Sequence, residues 1–135
     1  MESSQYDVAI IGGGILGLST AMQLLERASG WRVAVVEKED GLATHQTGHN
    51  SGVMHSGIYY RPGSYKAQFC VAGLNSMVRF CEENEIEYQQ CGKVIVALEE
   101  SELGRLQDLY ERGTANGVPD LEMVGPERLK EIEPH

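Results

Sequence analysis

An α/β fold built on a parallel sheet is predicted by three observations in the first forty residues. An apolar run, Tyr6-Asp7-Val8-Ala9-Ile10-Ile11, leads into Gly12-Gly13-Gly14-Ile15-Leu16-Gly17. A helical stretch follows, and Arg32-Val33-Ala34-Val35-Val36 then ends on Glu37. Together these make the strand–turn–helix–strand unit of a Rossmann-like, dinucleotide-binding domain. The apolar run reads as a buried parallel strand. Ile15 through Ala28 reads as the helix leaving it, with Leu18, Ala21, Met22, Leu25 and Ala28 on one face. Gly12 permits the tight turn, Gly14 lets the backbone approach a pyrophosphate at the helix N-terminus, and Gly17 lets helix and strand pack closely. A bare glycine motif is weak. Here the preceding strand, the helix that opens on it and the acid closing the second strand make it specific.

Glu37 lies twenty residues beyond Gly17, where the end of the second strand turns a carboxylate toward an adenosine ribose. Hydrogen bonds from ribose hydroxyls to that charge contribute about 1.5–3 kcal/mol. A 2′-phosphate would meet a like charge, which makes NADP the least favoured ligand, with Lys38 the neighbouring cation that could offset it.

Composition adds bounds more than direction. With 135 residues, 41% hydrophobic and 23% charged, the chain has room for one ordinary globular domain. A net charge of −9 disfavours nucleic acid and anionic membrane surfaces. The apolar stretch 8–22 is interrupted by glycines, as a strand–turn–helix requires and a membrane span does not. Met1-Glu2-Ser3-Ser4 lacks the basic segment of a secretory signal, so cytoplasmic residence is the default expectation. Cys70, Cys81 and Cys91 show no paired spacing and read as buried, reduced thiols rather than a disulfide framework or a zinc site.

Residues 40–64 carry neither helical nor strand period and are crowded with glycine, histidine, serine and threonine. An aperiodic stretch of that length in a compact domain points to function. From Ser64, the residues Ala67, Cys70, Val71, Leu74, Met77, Val78 and Cys81 recur at helical spacing, and the pattern fades near Glu83. Lys93-Val94-Ile95-Val96-Ala97-Leu98 is predicted as a strand. Ser101 is expected to cap a further helix that buries Leu103, Leu106, Leu109 and Tyr110 and ends near Gly117. Leu121–Val124 is predicted as a short strand, and Pro126 as the first turn of a last helix. Two clear sheet strands are few for a doubly wound fold, so the chain is expected to be truncated.

In a nicotinamide enzyme the second strand usually feeds another crossover helix; here it feeds the glycine–histidine–serine loop. Such a loop suits an extended FAD, with Thr44, Thr47, Asn50 and Ser51 lining phosphates and ribityl chain and Gly48 and Gly52 allowing close approach. The run His45-Gln46-Thr47-Gly48-His49-Asn50-Ser51-Gly52-Val53-Met54-His55-Ser56-Gly57-Ile58-Tyr59-Tyr60, continued by Pro62, Lys66, Ala67 and Gly92-Lys93, resembles the D-amino-acid-oxidase-like superfamily of FAD-dependent oxidoreductases. Within it the chain is similar to the N-terminal part of the L-2-hydroxyglutarate oxidase and dehydrogenase branch.

The resemblance implies a Rossmann-like FAD-binding portion at 1–90 and the start of a substrate domain at 91–135. It also implies oxidation of a small 2-hydroxy acid, L-2-hydroxyglutarate, to 2-oxoglutarate by hydride transfer to flavin, a chemistry this length of chain is not expected to perform alone. Gly12, Gly14, Ile15, Leu16, Gly17, Glu37 and Lys38, with the loop residues above, are assigned to the cofactor, and no residue to a metal. His55 is assigned to polarising the flavin, to taking the substrate hydroxyl proton or, as in some relatives, to a covalent flavin link. His45 and His49 are read as hydrogen-bonding partners within the loop. Tyr60 and Arg61 are candidates for the substrate carboxylates, with Tyr59 and Lys66 close in sequence. The electron acceptor stays open between oxygen and a membrane quinone, the latter implying peripheral attachment at an inner membrane. Sister activities on glycerol 3-phosphate or a small amino acid, and a non-catalytic dinucleotide-binding module, are the alternatives.

Overall fold

A computed structural model describes residues 5–135; the Met1–Ser4 stretch used above for localisation lies outside them. By internal contacts the chain divides into two units, Met1–Gly52 and Val53–His135.

In the first unit, strand β1 (Val8–Ile11) pairs in parallel with β2 (Val33–Val36), in the register Val8 with Val33 through Ile11 with Val36. Helix α1 (Ile15–Arg27) connects them and packs on both strands. The anticipated helical face is realised: Ala21 is buried, and Leu18, Met22 and Ala28 are half-buried. Leu25, expected on that face, is exposed, and its neighbour Leu24 takes the inner position. The helix ends one residue short of expectation, because Ala28 leaves helical geometry while its amide still closes on the Leu24 carbonyl at 2.8 Å.

In the second unit, Ser64 caps helix α2 (Tyr65–Glu83), its hydroxyl accepting from the Ala67 amide at 3.3 Å. Ala67 and Cys81 are buried, and Cys70, Val71, Leu74, Met77 and Val78 are half-buried along the same face. A 3₁₀ turn (Glu100–Glu102) runs into α3 (Leu103–Ala115), and Pro126 opens α4 (Pro126–Ile132) as anticipated.

Five expectations fail here. Residues 93–98 and 121–124 are not strands. The first stretch keeps a two-residue alternation, with Ile95 and Ala97 half-buried between exposed Val94, Val96 and Leu98, yet among the described residues no neighbouring strand completes a ladder. Ser101 is not the cap of α3, because it lies inside the 3₁₀ turn with its hydroxyl on Glu99 Oε2 at 3.4 Å. Leu103, at the start of α3, is exposed, while Leu106, Leu109 and Tyr110 are half-buried. The three thiols are free, but only Cys81 is buried; Cys70 is half-buried, and Cys91, in a stretch outside any helix or strand, is exposed. Among the described residues no helix is long and apolar enough to cross a membrane.

Candidate cofactor site

The glycine turn of the first unit is held from two sides. Gly12 adopts φ +105°, a conformation open to glycine, and its amide donates to the Val36 carbonyl at 2.8 Å, joining the turn to the end of β2. A Cβ on Gly17 would collide with the Gly12 carbonyl oxygen, so the close helix–strand packing expected of that position is present. Glu37 folds back onto the turn. Its Oε2 accepts from the Gly13 amide at 2.7 Å, and its Oε1 from the amides of Lys38 and Glu39 at 2.8 and 3.1 Å. The Gly13 amide above all, then those of Glu39 and Lys38, hold the Glu37 carboxyl below the usual carboxylate range. The sequence assigned Glu37 to a ribose and left Gly13 without a role. In the structure Gly13 is the donor that fixes where the Glu37 carboxylate stands.

The loop after β2 closes the other side through the Ala43 amide, which donates to the Gly13 carbonyl at 3.1 Å, with Ala43 itself at φ +60°. Thr47 Oγ1 accepts from the Ile15 amide at 3.0 Å, so a residue far along the chain caps α1, whose own N-cap, Gly14, has no side chain to offer. Asn50 braces the loop: Nδ2 donates to the Gln46 and Thr47 carbonyls at 3.0 and 2.8 Å, and Oδ1 accepts from the Gly52 amide at 2.7 Å. Gly48 is needed because a Cβ there would stand 2.5 Å from the Ala43 carbonyl oxygen. His45 pairs through Nε2 with Glu39 Oε1 at 3.0 Å, and His49 Nδ1 with the His45 carbonyl at 2.9 Å. Lys38 directs its ammonium to Glu39 at 3.3 Å. Thr44 and Ser51 are exposed, and their hydroxyls make no hydrogen bond among the described residues.

What remains unspent suits an anion. Among the described residues the amides of Gly14, Leu16 and Gly17 have no acceptor, and α1 carries no acidic residue in its first turn. Free amides and a positive helix end at a glycine turn are the donor set a pyrophosphate needs. A Cβ on Gly14 would reach 3.0 Å from Thr47 Oγ1, crowding the approach. The residues present therefore fit the diphosphate of FAD.

In the second unit, the segment His55–Arg61 is anchored by two helices. The Cys70 thiol of α2 donates to the His55 carbonyl at 3.1 Å, and Gly57, at φ +93°, sits where a Cβ would press to 3.3 Å on Val71. Asn116, the C-cap of α3, donates through Nδ2 to both the Gly57 and Tyr60 carbonyls, at 3.0 and 2.9 Å. Ile58 fills the space over Gly113. His55 is exposed, with a ring that makes no hydrogen bond among the described residues. Tyr60 is half-buried beneath Lys66, whose Nζ is 5.9 Å from the ring centroid. Arg61 lies at an open hollow with Pro62, Gly63 and Ser64 and forms no ion pair among the described residues. Sequence reading missed Asn116, the Lys93 ammonium on Tyr59 Oη and the anchoring role of Cys70, because contacts across 15 to 59 residues leave no local pattern to find.

Residues 7–135 match the family described as FAD dependent oxidoreductase. The chain belongs to that family. Its cofactor is FAD, in keeping with the donor set around α1. The chain is 56% identical over 133 residues to a Nematostella vectensis protein named L-2-hydroxyglutarate dehydrogenase, mitochondrial, covering 98% of this chain and 29% of that protein. A Homo sapiens protein of the same name is 51% identical over 134 residues, 99% of this chain and 29% of its own length. An Escherichia coli L-2-hydroxyglutarate dehydrogenase is 52% identical over 130 residues, 96% and 31% respectively. The chain thus spans about three-tenths of the length of these relatives.

The animal relatives' names overturn the expectation of cytoplasmic residence. That expectation rested on the composition of Met1–Ser4, four residues that do not select one compartment over another.

Proposed function

We propose that this chain is the N-terminal, flavin-binding part of an enzyme that oxidises L-2-hydroxyglutarate to 2-oxoglutarate. The observation that carries the reading is its 56% identity, over 98% of its residues, to a protein named for that activity. Residues 1–90 are assigned to the FAD-binding portion and 91–135 to the start of the substrate domain. FAD, when bound, supplies the redox chemistry by accepting a hydride. The amides of Gly14, Leu16 and Gly17 hold the diphosphate. Glu37, already oriented by Gly13, keeps a lone pair on Oε2 for a ribose hydroxyl. Thr47, whose hydroxyl oxygen is bound to the Ile15 amide, has its own proton to donate toward a phosphate oxygen. His55 takes the proton from the C2 hydroxyl of the substrate, and Tyr60 and Arg61 orient the carboxylate next to that carbon. Oxygen or a membrane quinone would take the electrons from the bound cofactor.

The test is rapid mixing of the full-length flavoprotein with candidate substrates under anaerobic conditions. L-2-hydroxyglutarate is expected to bleach the visible flavin absorption, and glycerol 3-phosphate and small amino acids to leave it. Bleaching by one of the latter alone would overturn the reading. In His55→Ala the bleaching rate is expected to fall about 10²–10⁴-fold with flavin content unchanged, and an unaltered rate would remove His55 from the chemistry.

A further inference from the structure

We propose that Lys93 and Tyr59 form a carboxylate subsite that takes the distal carboxylate of a 2-hydroxy dicarboxylate. The inference rests on the 2-hydroxy acid reading above and adds to it the group that selects a dicarboxylate over a monocarboxylate.

Lys93 reaches back 34 residues to place Nζ 2.7 Å from Tyr59 Oη and 4.6 Å from the centre of its ring. An ammonium has donors only, so the phenol oxygen accepts and its own hydrogen is left to donate elsewhere. The pair therefore presents one O–H and two further N–H groups from adjoining atoms, an excess of donors over the one lone pair left on the phenol. A carboxylate, which has acceptors only, is its complement.

The charge pattern points the same way. The chain has 20 acidic residues against 11 lysines and arginines. Of the eleven, Arg32, Lys38, Arg128 and Lys130 lie against carboxylates, and among the described residues the other seven, Lys93 included, do not. Lys93, among the described residues, has no acidic partner and is held instead by an uncharged oxygen and an aromatic face. Both contacts orient the ammonium without neutralising it.

The base of the pair is fixed. Tyr59 belongs to the turn whose Gly57 and Tyr60 carbonyls are gripped by Asn116 at 3.0 and 2.9 Å. The neighbouring Lys66 lies 5.9 Å from the Tyr60 ring centroid and makes no hydrogen bond to it, which leaves its ammonium less well oriented than that of Lys93.

The experiment uses the full-length flavoenzyme, with Lys93→Met, Lys93→Arg and Tyr59→Phe. Each is assayed with L-2-hydroxyglutarate and with L-2-hydroxypentanoate, which has the same carbon chain but ends in a methyl group; glutarate serves as a competitive inhibitor. Lys93→Met is expected to raise the KM for the dicarboxylate and the inhibition constant for glutarate roughly 10–100-fold while leaving kcat/KM for L-2-hydroxypentanoate unchanged. Tyr59→Phe moves both constants the same way by up to about tenfold, and Lys93→Arg recovers part of the loss. Equal losses on both substrates would reduce the pair to a structural tether and overturn the proposal, as would undiminished glutarate inhibition. Flavin content and the thermal midpoint report folding; should Lys93→Met not fold, Tyr59→Phe carries the same comparison. A parent enzyme that turns over neither substrate defeats the functional reading instead. Glutarate's perturbation of the bound-flavin spectrum then decides the subsite, and its persistence in Tyr59→Phe and Lys93→Met overturns it.

Discussion

Glu37 shows how a carboxylate can be oriented by the turn it closes. Three backbone amides converge on it, and the shortest bond, from Gly13 at 2.7 Å, crosses from β2 to the glycine turn. Glu37→Gln keeps an acceptor for one amide but loses the charge, whereas Glu37→Ala removes both. Flavin content of the full-length protein is therefore expected to fall further in the alanine variant, and equal, undiminished content in both would exclude Glu37 from the site. The pH dependence follows from the direction of the shift. The native carboxyl titrates below its ordinary 4.5, so the Gly13 link is fully present above that value and is lost as pH falls through the lower native value. Hydrogen exchange of the Gly13 amide should accelerate across that acidic window and be insensitive to pH above it after correction for intrinsic rates. Asn116 is the corresponding residue of the second unit. Asn116→Leu leaves the Gly57 and Tyr60 carbonyls without their donor at a cost of about 1–3 kcal/mol, measurable as a lower denaturation midpoint of the full-length protein; an unchanged midpoint would show that solvent satisfies both carbonyls.

At the level of elements, α1 depends on a cap supplied from outside its own sequence. Thr47→Val keeps the shape but removes the acceptor for the Ile15 amide, and a lost N-cap costs about 1 kcal/mol. Flavin affinity should weaken with it, because the same helix end orients the amides offered to the diphosphate; calorimetric titration of apoprotein with FAD would detect this. Gly17→Ala is expected to be worse, since its methyl has no room beside the Gly12 carbonyl. What the sequence made legible follows from range. β1, α1, β2 and α2 announce themselves through apolar period, glycine placement and the Ser64 cap, all within a few residues. Strands at 93–98 and 121–124 were misread because strand character needs a partner, and alternation such as that from Val94 to Leu98 specifies faces without supplying one. The site divides in the same manner. The glycine turn was readable, whereas Thr47 on Ile15, Gly13 on Glu37 and Asn116 on Gly57 are tertiary choices with no local code.

For the whole molecule the decisive quantity is how little apolar surface the described residues cover. Their buried hydrophobic side chains are Ala21, Ala67 and Cys81, all small, while Ile11 is 91%, Leu16 81% and Leu98 87% exposed. Tyr65 and Phe69 stack on each other with ring centres 5.9 Å apart, both exposed. A single buried leucine or phenylalanine contributes about 1.5–3 kcal/mol, and ordering each residue costs about 1–2 kcal/mol of backbone entropy, so so small a core gives a weak basis for cooperative unfolding. The 135-residue chain expressed alone is therefore expected to bind a hydrophobic dye strongly at neutral pH and to melt over a broad range with little calorimetric enthalpy. A full-length relative, measured beside it, should exclude the dye and unfold sharply. A narrow, enthalpy-rich transition without dye binding from the 135-residue chain would mean that its helices and β1–β2 pair close a core of their own, with the exposed residues named here turned inward in solution.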